Sequence, residues 1–211
     1  MHPRDCPRWE YSRHQYANAV PIRCEAILHR LELGQLAIES CLRDSRPLHH
    51  ELFVNLTPPE CPYFAGHYRG ESFKCLRFLN VKVEGDTRVG VPHDRVASEL
   101  ANLQSHILKA GLKALDVAFA MPDDKLSQAD KLYNLVKLSC RLLAEFLRIH
   151  PYANGNGHIG RLFIWLMLAR FGYWPQKWPL HERPDYGDLL SRYRDGIEQP
   201  LEDFVLRAII G

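Results

Sequence analysis

The chain has 211 residues, 46% hydrophobic and 25% charged, a balance that excludes a disordered or fibrous protein. A chain of this size buries roughly 70% of the surface its unfolded form exposes, so it can hold a core without disulfides or a structural metal. Its 27 basic and 25 acidic residues leave a net charge of +2, which gives no global electrostatic case for nucleic acid or an anionic membrane as partner.

The longest apolar run, Leu162 to Ala169, falls short of the ~20 residues a bilayer span requires. The first residues carry Arg4, Asp5, Arg8 and Glu10 with no apolar stretch behind them, so no secretory signal peptide is expected. Cys6, Cys24, Cys41, Cys61, Cys75 and Cys140 show no C-x-x-C pair and no zinc spacing, and read as six reduced thiols in a cytoplasmic protein.

Residues 1–20 lack periodicity and read as an N-terminal arm, with a single helical domain expected over 21–211. From Ile22, apolar residues recur at helical spacing through Leu31, and again from Leu36 to Leu42, with Gly34 between. A short helix follows over Leu48 to Leu56, stopped by Pro58 and Pro59. Between Tyr63 and Val91 glycines and short apolar runs take over, and Glu84-Gly85-Asp86 signals a turn. A small β-hairpin within residues 72–91 is expected there, the only sheet in a mainly α fold. Pro92 opens an amphipathic helix through Val96, Leu100, Leu103 and Ile107. Ser127 to Ile149 predicts a long helix with one apolar face, and His158 to Phe171 is apolar on nearly every side, as in a buried central helix. Two shorter helices, near Tyr186 to Tyr193 and Leu201 to Ile210, close the chain.

The loop joining the two long helices, His150-Pro151-Tyr152-Ala153-Asn154-Gly155-Asn156-Gly157-His158-Ile159-Gly160-Arg161, carries more chemistry than a connector needs. Glycines at 155 and 157 permit positive φ and expose successive N–H groups, and the helix that follows offers its own unpaired N–H groups and positive dipole end. Such a bend binds a phosphate, and Arg161, about one turn on, adds a bidentate grip on a second. His150 stands beside it, an imidazole suited to take a proton from an attacking hydroxyl. The residues by themselves equally allow a helical corner in which Gly157 only lets helices pack.

This segment resembles the signature of Fic domains, H-P-F-x-[D/E]-G-N-G-R-x-x-R, in its histidine, proline, both glycines, the asparagine between them and the final arginine. Phe64-Ala65-Gly66-His67-Tyr68-Arg69 is similar to the A-G-x-x-R stretch before the family's flap hairpin. The resemblance, over roughly residues 36–206, implies a Fic-type helical bundle with one flap hairpin over the active site. It also implies a protein adenylyltransferase that moves AMP from ATP to a Ser, Thr or Tyr hydroxyl of a target protein and releases pyrophosphate. His150 would be the general base, Gly155, Asn156 and Gly157 the anion hole, and Arg161 the ligand of the terminal phosphate. The target would add a strand to the flap, and a separate inhibitory protein is a possible partner.

Three positions depart from that pattern. Tyr152 for Phe keeps the aromatic plug. Asn154 stands where the family places an acidic Mg²⁺ ligand; its amide oxygen can still coordinate but brings no charge, so Mg²⁺ is expected to depend mostly on the nucleotide's own phosphates. His158 replaces the first motif arginine with a pH-dependent charge at the nucleotide, so an altered donor is expected. Alternatives are a Fic-fold phosphotransferase, against which Gly157 speaks because that branch carries lysine there, and a nucleotide- or partner-binding module with little activity. Ser191-Arg192-Tyr193-Arg194-Asp195-Gly196 comes nearest to the family's inhibitory helix but reads as a helix end with a glycine cap. His49-His50 reads as a polar surface pair, and Lys74, Arg77 and Lys82 as a solvated face.

Overall fold

A computed structural model describes residues 6–83, 86–175, 177–180 and 182–210. The fold is mainly helical: α1 (Ala19–Glu32), α2 (Ile38–Arg43), α3 (Arg46–Phe53), α4 (Val96–Asn102), α5 (Ala110–Ala120), α6 (Gln128–Ile149), α7 (Asn156–Arg170), α8 (Gly187–Arg194) and α9 (Gln199–Ile210). A π-helical stretch, Leu103–Lys109, continues α4 into α5. Among the described residues no helix is long and apolar enough to cross a membrane.

The long helices fall where the sequence puts them. The side chain of Ser127 caps α6 by accepting the Asp130 N–H at 3.1 Å, and α6 runs 22 residues, about 33 Å at 1.5 Å per residue. Its apolar stripe packs on α7, which is buried continuously from His158 to Leu168. The close approach passes over Gly160, where a Cβ would sit 2.9 Å from Leu143 Cδ1. Helices α1, α2 and α9 cover the remaining faces of this pair. The third predicted helix ends at Phe53, three residues before Leu56.

The expected hairpin does not appear as paired strands among the described residues, and Glu84 and Gly85, at its predicted turn, lie outside them. The two arms do run close, since a Cβ on Gly90 would meet the Val81 carbonyl oxygen at 2.4 Å. Three of their backbone groups, however, are bonded outside the segment. The Gly90 N–H donates to Arg148 O at 2.9 Å, and the carbonyls of Leu79 and Val91 accept from Arg69.

The expectation of six reduced thiols is corrected. The arm brings Cys6 against Cys75, with 5.6 Å between Cα atoms, and the two form a disulfide. Cys24, Cys41, Cys61 and Cys140 remain free. A structural disulfide suits an oxidising surrounding, so scattered cysteines no longer support a reducing compartment.

Candidate active site

The bend between α6 and α7 is built around two residues with left-handed backbone. His150, at the C-terminus of α6, has φ 54°, and Gly155, immediately before α7, has φ 77°. Only glycine fits position 155, because a Cβ there would also lie 2.3 Å from Phe53 Cε2. Asn156 braces the bend with its side chain, accepting the Tyr152 N–H at 2.9 Å and donating to Tyr152 O at 3.0 Å. Tyr152 is fully buried, with its hydroxyl 2.7 Å from Ser45 Oγ.

No side chain caps α7, and the N–H groups of Asn156 and Gly157 make no hydrogen bond to any described residue. These donors border a cavity of about 670 Å³, which His150 and Arg161 also line. Two adjacent open N–H groups at the positive end of a 15-residue helix have the geometry an anion needs.

His150 Nδ1 faces the Leu147 carbonyl at 3.4 Å. A carbonyl can only accept, so this long contact favours the proton on Nδ1 and leaves the Nε2 lone pair open. Burial, first of all, pushes the imidazole down to about 4, with Arg69 and Arg194 acting in the same direction. At neutral pH the ring is an uncharged base.

Arg161 is 3% exposed and is held by Leu180 O at 3.1 Å and the Tyr186 hydroxyl at 3.3 Å. Among the described residues no carboxylate lies in ion-pair range of it, although Glu10, Asp86 and Asp188 line the same cavity. The chain thus sets a cation, two open N–H donors and a neutral base around one space.

His158 is also buried, with Leu180 O 3.0 Å from Nδ1 and the Tyr11 hydroxyl 2.7 Å from Nε2. With the proton on Nδ1 the ring donates to Leu180 O and Tyr11 donates to Nε2; with the proton on Nε2 the ring donates to Tyr11 and Arg161 Nη2, 3.2 Å away, donates to Nδ1. Both ring nitrogens already have partners within the protein.

A family model for the Fic/DOC family matches residues 42–168. The chain belongs to the Fic/DOC family. No curated protein matches the chain. Membership carries a Fic-type function in general, and the Fic signature is the bend just described. At the position of the Fic acidic residue, Asn154 accepts the Gly155 N–H at 2.7 Å and donates to Trp9 O at 2.9 Å and Glu10 Oε1 at 3.2 Å. Its amide oxygen serves the turn, and among the described residues no group of three or more His, Cys, Asp or Glu side chains is placed to hold a metal. The donor set does not fit a protein-bound Mg²⁺ at Asn154.

Several residues of this Fic site escape the sequence. His49, read as surface, is fully buried. It accepts the Gly66 N–H on Nδ1 at 2.9 Å, donates from Nε2 to Asn154 O at 2.9 Å, and stacks on Tyr152 at 3.7 Å. From the arm, Glu10 and Tyr11 line the cavity, while Trp9 packs on Phe53 and Phe64 and donates to Leu56 O at 2.8 Å. Asp195 pairs with Arg88 rather than with Arg161, and Gly196 follows α8 at φ 86°, which agrees with a capped helix end. Lys74, Arg77 and Lys82 are exposed, as read.

Proposed function

We propose that this Fic protein transfers AMP from ATP to a Ser, Thr or Tyr hydroxyl of a target protein and releases pyrophosphate. The observation that carries the reading is the pair of open N–H groups on Asn156 and Gly157, set on the same cavity as a neutral His150. The nucleotide's phosphates would lie on those donors, with Arg161 neutralising the terminal one. His150 Nε2 takes the proton of the target hydroxyl as its oxygen attacks the α-phosphorus, and the α–β bond breaks to release pyrophosphate. The oxygen–phosphorus bond that forms replaces the one lost, and the proton rests on the imidazole until solvent removes it. The target segment would add as a strand to the flap within residues 72–91.

With both nitrogens of His158 engaged, the position of the first motif arginine offers the phosphates no permanent charge, which supports an altered choice of donor. Incubation with target-containing lysate and α- or γ-labelled ATP, GTP, UTP and CTP tests both statements. Label from the α position on protein, lost in His150→Ala, is expected. Label from the γ position would replace the reading with phosphotransfer, and no label would leave a binding module. A His158→Arg variant with a donor profile identical to wild type would remove the statement about donors.

A further inference from the structure

We propose that Arg69 is the positioning residue of this site, a single guanidinium that fixes the turn carrying His150 and both feet of the segment lying over the cavity. Arg69 is 1% exposed, and among the described residues no carboxylate pairs with it. A buried cation without a counterion is costly unless every N–H finds an acceptor. Backbone carbonyls alone take four of the five N–H groups of Arg69. Its Nε donates to His150 O at 2.8 Å, Nη2 to Ile149 O at 2.9 Å and Val91 O at 3.0 Å, and Nη1 to Leu79 O at 3.1 Å. Its backbone N–H adds a bond to Pro151 O at 2.8 Å.

The acceptors have a pattern. Ile149 and His150 supply carbonyls that the end of α6 leaves without helical partners, at the negative end of the helix dipole. Leu79 and Val91 are the two ends of a segment whose Val83, Asp86 and Val89 line the cavity. His150 has a left-handed backbone, which costs a residue with a Cβ roughly 1–2 kcal/mol, and its carbonyl is held by Arg69. One planar fork therefore sets the orientation of the imidazole and the distance between the helical body and the covering segment. A lysine ammonium, a compact charge without that fork, cannot span the four acceptors.

The inference rests on the reading of His150 as the base, but its test does not require transfer. The charged groups facing His150 are Arg69 and Arg194, the latter paired with Asp86 at 2.9 Å. In the full-length protein without nucleotide, the His150 imidazole is titrated by NMR and trypsin cleavage after Lys82 and Arg88 is timed, for wild type, Arg69→Lys and Arg69→Met. Cleavage is expected to accelerate at least about tenfold in both variants, as the feet are released. The titration midpoint is expected to rise in Arg69→Met and to rise less in Arg69→Lys, where the charge survives. Where transfer is measurable, kcat falls by about 10²-fold, the scale of a misplaced catalytic group, with little change in nucleotide KM. Should neither variant fold, the wild-type Arg69 Nε–H decides: exchange as slow as the amides of α6 supports the clamp, and rapid exchange overturns it. Unchanged cleavage and an unchanged His150 midpoint in a folded variant overturn it too. So does parallel loss of kcat, KM and melting temperature, the mark of a merely structural arginine. Absence of any label transfer would sink the AMP reading while leaving the cleavage and titration results to judge Arg69.

Discussion

His49 and His150 are neutral for the same reason, that burial penalises the imidazolium, which holds the first at about 3 and the second at about 4. Both values lie below the 6.5 of an exposed histidine. Between pH 6.5 and about 4 the unfolded chain therefore binds protons that the folded chain refuses, and stability falls as pH falls through that window. Each histidine contributes up to about 1.4 kcal/mol per pH unit there. Urea denaturation at pH 7, 6 and 5 should show that decline, and His49→Gln should flatten it while lowering stability at pH 7. An identical pH slope in the variant would contradict the neutral assignment. At Gly155 both the positive φ and the Phe53 ring oppose a side chain, so Gly155→Ala is expected to cost about 2–4 kcal/mol from left-handed strain plus overpacking, read from the denaturation midpoint.

At the scale of elements, the two long helices differ in how they begin. Ser127 satisfies an N–H at the start of α6, and Ser127→Ala should cost about 1 kcal/mol in the same assay. Helix α7 starts with open donors instead, so an anion completes it as a cap would. Thermal melts with ATP are expected to rise with ligand concentration, by the equivalent of about 2.7 kcal/mol at a hundredfold excess over Kd. Arg161→Gln should reduce that gain, and a melting temperature indifferent to nucleotide would leave the open donors without a ligand. The segment after Leu79 follows another logic. Asp86, its carboxyl held down to about 2 chiefly by Arg88, ties the segment to α8 through Arg194, while Arg69 holds its feet.

At the scale of the whole molecule, the arm ahead of α1 forms a wall of the cavity. Tyr11 reaches His158 across 147 residues of sequence, and Trp9 and Glu10 reach Asn154 across similar distances. The Cys6–Cys75 disulfide closes a loop of 69 residues and restrains the unfolded chain. In the loop-closure account this contributes about 4 kcal/mol. Cys75→Ser should lower the denaturation midpoint accordingly, and a dithiol reductant should reduce wild type to the level of the variant. Equal midpoints with and without the reductant would show that the bond adds nothing.

The sequence by itself determined the helical architecture and the place of the bend, because both are written locally. Apolar spacing marks α6 and α7, a serine marks one helix start, and Gly155 marks where the backbone turns with positive φ, whereas Gly157, read the same way, lies in the first turn of α7 without one. Arg69 carried a sequence signal through the A-G-x-x-R stretch, but not its task. Only the tertiary structure decided which of two adjacent histidines, 49 or 50, turns inward to hold Asn154, that Trp9 and Tyr11 belong to the site, and that Cys6 meets Cys75. It also decided that Leu79 and Val91, at the two ends of the segment over the cavity, give their carbonyls to Arg69. Each of these is a choice of partner between residues far apart along the chain, and such partners are chosen by packing, which no local pattern records.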